Sequence, residues 1–145
     1  MSNQNPRVGL GIIIENNKGQ ILVMKREGSH APYWSIPGGK LELGETFEKG
    51  AAREVKEEID INVEDLKVIA VTNNLKTYAA EGAHFISIIL LAKAFKGKPI
   101  IMEPDKCTEL RWVDPHNLPQ PHFDASELGV HCYFRGVPYV NTLDY

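Results

Sequence analysis

The sequence is poor in cysteine. Cys107 and Cys132 stand alone among 145 residues and form no CxxC pair, so no disulfide framework is encoded. Both read as small core or near-surface residues. There is no excess of positive charge either. A net charge of -3 argues against broad electrostatic binding of a nucleic-acid polymer, though it leaves room for a local basic site. Long apolar runs are missing: the longest, Ile86 to Ala92, is short and is broken by Ser87, which excludes a helical membrane span. The opening, Met1 to Pro6, is polar and lacks a basic stretch followed by an apolar core. No signal peptide is expected, and a cytoplasmic protein is the default expectation. No repeat, low-complexity tract or linker divides the chain, so residues 1–145 are expected to form one domain.

What is present is an ordinary globular composition, 43% apolar and 24% charged. Val8 to Ile14 reads as a strand with Val8, Leu10, Ile12 and Ile14 on one face and Gly9, Gly11 and Ile13 on the other. Glycine weakens a strand and often marks the close approach of a ligand or another backbone. Asn16-Asn17-Lys18-Gly19 is a turn signal, after which Ile21 to Met24 is expected to return as the second strand of a hairpin. Trp34 to Pro37 reads as extended and precedes Gly38-Gly39. A helix is expected from about Thr46, its N-cap, to Ile59, with Phe47, Ala51, Val55 and Ile59 as the apolar stripe. Leu66 to Thr72, Phe85 to Ala94 and Leu110 to Val113 read as strands, with a polar loop around Ala79 to Gly82. Asp124 to Phe134 reads as a terminal helix; Gly136 to Tyr145 shows no pattern. Strands outnumber helices, which points to an α+β or mixed α/β layer arrangement.

The informative segment is Gly38 to Ile61. On the central helix Glu54, Glu57 and Glu58 lie three and four residues apart, so their carboxylates share one turn. Glu54 and Glu58 border the apolar stripe instead of opposing it. Acidic groups crowded at a protein boundary raise one another's pKa, and a divalent cation removes that conflict. Oxygen ligands of this kind suit magnesium or manganese. A glutamate-rich surface helix would show the same three residues, but the surrounding spacing narrows the choice. Gly39, Glu45, Arg53-Glu54-Val55, Glu57-Glu58 and Ile61 satisfy the pattern Gly, five residues, Glu, seven residues, Arg-Glu-aliphatic, any, Glu-Glu, any, Gly, aliphatic. One specified position departs: Asp60 stands where the pattern has Gly. That position should follow the helix in a left-handed conformation, which Asp tolerates better than most residues.

The segment resembles the Nudix box, and the resemblance implies a magnesium-dependent hydrolase (manganese as the alternative) on an α-β-α sandwich with a mixed sheet. Glu54, Glu57 and Glu58 match metal-binding glutamates, and Gly38 matches a residue whose carbonyl joins the metal shell. Arg53 and Glu45 match a pair that orients the loop and helix. A box glutamate, Glu54 first, is favoured as the group that orients or deprotonates the attacking water. Across Pro6 to Phe123 the chain is similar to MutT-like nucleoside triphosphate diphosphatases.

That likeness implies a base pocket near Thr72 and Asn73, with Phe123 stacking on the base. Asn73-Asn74 would equally make a turn, and Phe123 would equally be core. His84 reads as a pocket residue or a hydrogen-bonded structural histidine. Arg7 reads as a phosphate contact or a solvated strand end, and Glu103 as a further metal ligand or an exposed loop acid. Gly9 and Gly11 leave room for a flat base. The expected reaction converts a nucleoside triphosphate, an oxidised dGTP or a pyrimidine nucleotide among the choices, to monophosphate and pyrophosphate. A nucleotide sugar, ADP-ribose or a prenyl diphosphate is the rival substrate, and a catalytically silent nucleotide-binding regulatory module or a partner-binding protein the rival class. The expected partner is a small nucleotide, with no nucleic-acid polymer and no membrane; the resemblance also implies a homodimer.

Overall fold

The computed structural model describes residues 5–142, so most of the polar opening and the end of the tail lie outside the described residues. In chain order the elements are β1 (Arg7–Ile14), β2 (Ile21–Arg26), β3 (Trp34–Ser35), β4 (Gly38–Lys40), α1 (Phe47–Ile59), β5 (Asn62–Glu64), β6 (Lys67–Asn73), α2 (Leu75–Glu81), β7 (Phe85–Ala92), β8 (Ala94–Lys96), β9 (Cys107–Val113) and α3 (Asp124–Arg135). The main sheet has the order β4-β1-β7-β6 and is mixed: β1 runs parallel to β7, and the other pairs are antiparallel. A second sheet, β3-β2-β9, is antiparallel, as is the small β5-β8 pair.

The alternation along β1 builds the layers. Leu10, Ile12 and Ile14 pack with Ala51, Val55 and Ile59 of α1. Ile13, on the opposite face, packs in a second core with Ile89, Val130 and Cys132, on the side where α3 lies. The result is a sheet between helices, as the α-β-α expectation has it.

Several local expectations need correction. The turn after β1 forms, with the Asn16 side chain accepting from the backbone of Lys18 and Gln20. The hairpin does not: beyond one bridge between Glu15 and Ile21, β2 pairs with β3 and β9. Both edges of β1 are already taken by β4 and β7, and the wholly buried run Ile21 to Met24 needs a sheet interior of its own. On α1 the stripe is buried from Ala51 onward, but Phe47 is 37% exposed, because the whole first turn, Phe47 to Lys49, faces solvent. The strand starting at Phe85 ends at Ala92, and Ala94–Lys96 crosses to pair with β5.

The polar loop expected around Ala79 to Gly82 is instead the end of α2, closed by a left-handed Gly82. That helix lacks an apolar stripe. It is held by Thr77, whose backbone N–H and hydroxyl both donate to the buried Asp124 carboxylate, at 3.2 and 2.6 Å. The tail covers the outer edge of β6: the Val71 N–H donates to the Pro138 carbonyl and the Thr142 hydroxyl to the Asn73 carbonyl.

Candidate functional site

The site grows from α1 and the strand beneath it. Thr46 caps the helix by accepting from the Lys49 N–H, and Asp60 ends it at φ 57°, with its N–H on the Lys56 carbonyl. Between these caps Arg53 acts as a clamp. Its Nε and Nη2 donate to the two oxygens of Glu45 at 2.6 and 2.9 Å, and Nη2 also reaches the Lys40 carbonyl at 3.1 Å. Its Nη1 donates to Glu54 at 2.9 Å and Glu57 at 3.2 Å. One guanidinium thus ties the loop, β4 and the acidic turn together, which a lysine's single ammonium would not do. The Arg53 hydrogen bonds and the backbone hold the Glu45 carboxyl down to about 2.

The three helix carboxylates have different surroundings. Glu58 is buried, accepts from the Gly38 N–H at 3.0 Å and lies 3.7 Å from Arg26 Nη1. Burial pushes its carboxyl up to about 8, with Glu54 and Glu103 adding repulsion. Glu54 is half-buried, and burial raises its pKa above the ordinary value against the pull of Arg53. Glu57 stays open to solvent on Arg53. A Cβ on Gly39 would overlap the Glu54 carboxyl, and one on Gly38 would overlap the Leu10 carbonyl. Glycine at both positions is therefore what lets the helix carboxylates lie against the strand.

Glu54, Glu58 and Glu103 line one cavity of about 370 Å³, together with Gly38, Gly39, Lys40, Arg26, Asp105 and Lys106. Glu57 is outside that lining. Among the described residues no three carboxylates are already gathered around a single point; Arg53 holds Glu54, and Arg26 with Gly38 holds Glu58. The chemistry of the donor set nonetheless fits a hard divalent cation: all ligand atoms are oxygen, and two carboxylates bear raised pKa values that a cation would reverse. The cradle at Gly39 keeps Glu54 at that place.

A second cavity, about 180 Å³, adjoins the first, sharing Arg26, Gly38, Gly39 and Lys40. Its walls include Gly9, Gly11, Ile36, Ile89 and Phe123. Gly9, Gly11 and Phe123 therefore face one space. Phe123 also meets the His30 ring, centroids 4.7 Å apart. The other three residues expected at a base lie elsewhere. Thr72 is buried behind Asn74, to which its hydroxyl donates; Asn73 accepts from His84 Nε2 at 2.6 Å; and His84 packs on Tyr78. Arg7 is exposed and sits over the Phe85 ring, 5.6 Å from its centroid.

In their place the cavity wall holds Asn74, the second residue of the Asn73-Asn74 pair, together with two residues that sequence reasoning passed over, Ser87 and His30. Ser87 had a signal: it is the polar break in an otherwise apolar run. Arg26 was also missed. A bulge between Lys25 and Arg26 re-aims it into the junction of the two cavities, and its buried Nε has no hydrogen-bond partner among the described residues.

The family description of the NUDIX domain matches residues 5–131. The chain belongs to the Nudix family. An RNA pyrophosphohydrolase of Orientia tsutsugamushi is 36% identical over 92 residues, 63% of this chain and 55% of that protein. Another, from Erwinia tasmaniensis, is 39% identical over 72 residues, 50% of this chain and 40% of that one. The chain thus spans about half the length of the curated relatives it matches. Among solved structures, a MutT NUDIX hydrolase from Burkholderia pseudomallei superposes with a TM-score of 0.81 at 36% identity, covering 88% of this chain and 98% of that one. This Nudix protein is therefore MutT-like in its fold, and the Gly39–Ile61 segment that resembles the box contributes Glu54 and Glu58 to the acidic cavity.

Proposed function

We propose that this Nudix protein hydrolyses a nucleoside triphosphate to the monophosphate and pyrophosphate by water attack at phosphorus, with magnesium as its cation. The observation that carries the reading is the joined cleft. An aromatic, largely apolar end of about 180 Å³ meets an acidic end of about 370 Å³ over the strand Gly38–Lys40. A base in the first and a cation-bound phosphate chain in the second match the polarity of each end.

Glu54, Glu58 and Glu103 would hold the cation, with the Gly38 carbonyl and, after a rotamer change, Glu57 as further oxygen donors. A bound cation neutralises the diphosphate oxygens and the charge on the leaving phosphate. The protein supplies the rest. Arg26 and Lys40, at the junction, contact phosphate oxygens, and Arg7 lies at the start of β1, the strand that pairs with β4. Glu54 orients or deprotonates the water, being half-buried and fixed over Gly39. Arg53 acts as a positioning residue, fixing Glu54 through Nη1. Phe123 stacks on the base. Thr72, Asn73 and His84 support the base end from behind, Thr72 through Asn74 and His84 through Asn73.

The test is product analysis on a panel: canonical NTPs and dNTPs, 8-oxo-dGTP, ADP-ribose, a nucleotide sugar, a prenyl diphosphate and a 5′-triphosphorylated oligoribonucleotide. Monophosphate and pyrophosphate from free triphosphates, lost in Glu58→Gln, support the proposal. Turnover restricted to the RNA end would move the substrate toward that of the named relatives. Cleavage of only ADP-ribose or a sugar nucleotide would keep the diphosphate chemistry and overturn the substrate. Binding without turnover of any of them would make this a regulatory module. The accompanying expectations, a homodimer in the cytoplasm, are checked by light scattering and cell fractionation.

A further inference from the structure

We infer that the base end of the cleft selects a nucleobase with a carbonyl in place of an amino group at purine C6 or pyrimidine C4, and that Ser87 is the specificity-determining residue. The inference rests on the proposed nucleotide substrate and deepens it.

One chain of hydrogen bonds runs through the inner wall of this cavity. The Thr72 hydroxyl donates to Asn74 Oδ1 at 2.8 Å, which fixes the amide orientation. Asn74 Nδ2 then faces Ser87 and donates to its Oγ at 2.9 Å. Thr72, Asn74 and Ser87 are all buried. A serine hydroxyl has one hydrogen to give. With its oxygen already accepting from Asn74, Ser87 has that hydrogen to give, and both Ser87 and Asn74 line the cavity. Across the sheet a Cβ on Gly9 would sit 3.2 Å from Ser87 Oγ, so glycine there keeps the hydroxyl uncovered.

Two other serines of this wall are buried, Ser35 and Ser126, and Ser126 is already committed. Ser126 accepts from the Ile36 N–H at 2.9 Å and lies 2.7 Å from His122 Nε2. His122 Nδ1 faces the Pro119 carbonyl at 3.1 Å and must carry the proton there, so the Ser126 hydroxyl donates to Nε2. Burial keeps His122 on the neutral side. The inner wall therefore offers a donor from Ser87, and the second amide hydrogen of Asn74 adds to it. A buried donor left unpaired is costly, so a base that answers with a carbonyl oxygen binds better than one that presents an amino group. This favours 6-oxopurines and 4-oxopyrimidines over adenine and cytosine.

The matched probes are inosine and adenosine nucleotides, which differ at the purine 6-position. Hydrolysis of ITP and ATP and binding of IMP and AMP by calorimetry are compared in the wild type, Ser87→Ala and Thr72→Val. Expected is a preference of roughly tenfold or more for the inosine member of each pair. Ser87→Ala should remove it by weakening the inosine member alone. Thr72→Val frees the Asn74 amide to turn, so it should narrow the preference while keeping Ser87 in place. Equal handling of inosine and adenosine nucleotides by the wild type, or a preference unchanged in Ser87→Ala, overturns the inference. The binding arm separates the two proposals. Selective IMP binding without triphosphate turnover sinks the hydrolase reading but keeps this one; triphosphate turnover without base preference does the reverse. Failure of both monophosphates to bind also counts against it.

Discussion

Gly39 and the Glu54 carboxyl share one space, and the smallest side chain would decide between them. Adding a methyl group at Gly39 would overlap that carboxyl, so Gly39→Ala should expel Glu54 from the acidic cavity. The expected outcome is a loss of about a hundredfold or more in kcat for triphosphate hydrolysis, with circular dichroism unchanged. Glu58 gives a second prediction at this scale. Its carboxyl is pushed up to about 8 by burial, against an ordinary 4.5. Between those values the folded form keeps a proton that the unfolded chain has lost. The Glu58 contribution to stability should therefore be fullest below about pH 4.5 and fall as pH rises toward 8 in cation-free buffer. A divalent cation favours the ionised form, so magnesium should raise Tm more at pH 8 than at pH 5 and release protons on binding. Thermal melts of the wild type and Glu58→Gln across that range check it; the variant should lose most of the dependence.

At the scale of the element, α1 ends on Asp60 at φ 57°, where the Nudix pattern has glycine. The left-handed strain of Asp is modest, and glycine would cost entropy and remove the Lys56 ion pair at 2.8 Å. These effects oppose one another. Asp60→Gly should change stability by less than about 1 kcal/mol in chemical denaturation and leave turnover unchanged. This helix was the most legible part of the sequence, because its cap, stripe and acidic turn are all local. The box spacing likewise carried Glu45, Arg53 and the glutamates. The longer strands were legible as elements but not as partners, while the short β4 and β5 that flank the helix carried no strand pattern. β2 followed its turn signal yet joined another sheet, since pairing depends on which edges remain open. α2 was invisible because its anchor, Asp124, lies 47 residues from Thr77. The base-end residues failed for the same reason. Asn73 and Asn74 are adjacent in sequence, and only the turn into α2 decides that Asn74 faces the cavity while Asn73 turns to His84.

The whole molecule joins the layers to the cleft through Ile89. This side chain is fully buried on β7, and it lies under both Gly11 of β1 and Gly129 of α3. A Cβ on Gly129 would stand 3.0 Å from Ile89 Cδ1 and Cγ1, while Cδ1 is equally close to a Cβ position on Gly11. Ile89 therefore has little room to yield. For Gly129→Ala, overpacking of about 1–3 kcal/mol should outweigh the gain in helix propensity of about 1 kcal/mol. The expected net loss is about 1 kcal/mol. Because Ile89 also lines the base end, KM should rise more than kcat falls.

The central claim is that the acidic and aromatic ends of one cleft serve a single cation-dependent hydrolysis. It is tested most directly by steady-state turnover of a nucleoside triphosphate during a magnesium titration, with the wild type and Glu58→Gln side by side. Expected are monophosphate and pyrophosphate, a rate that rises to saturation with magnesium, and a loss of at least about a hundredfold in the variant. Equal turnover after chelation of all divalent cations, or undiminished turnover in Glu58→Gln, would contradict it.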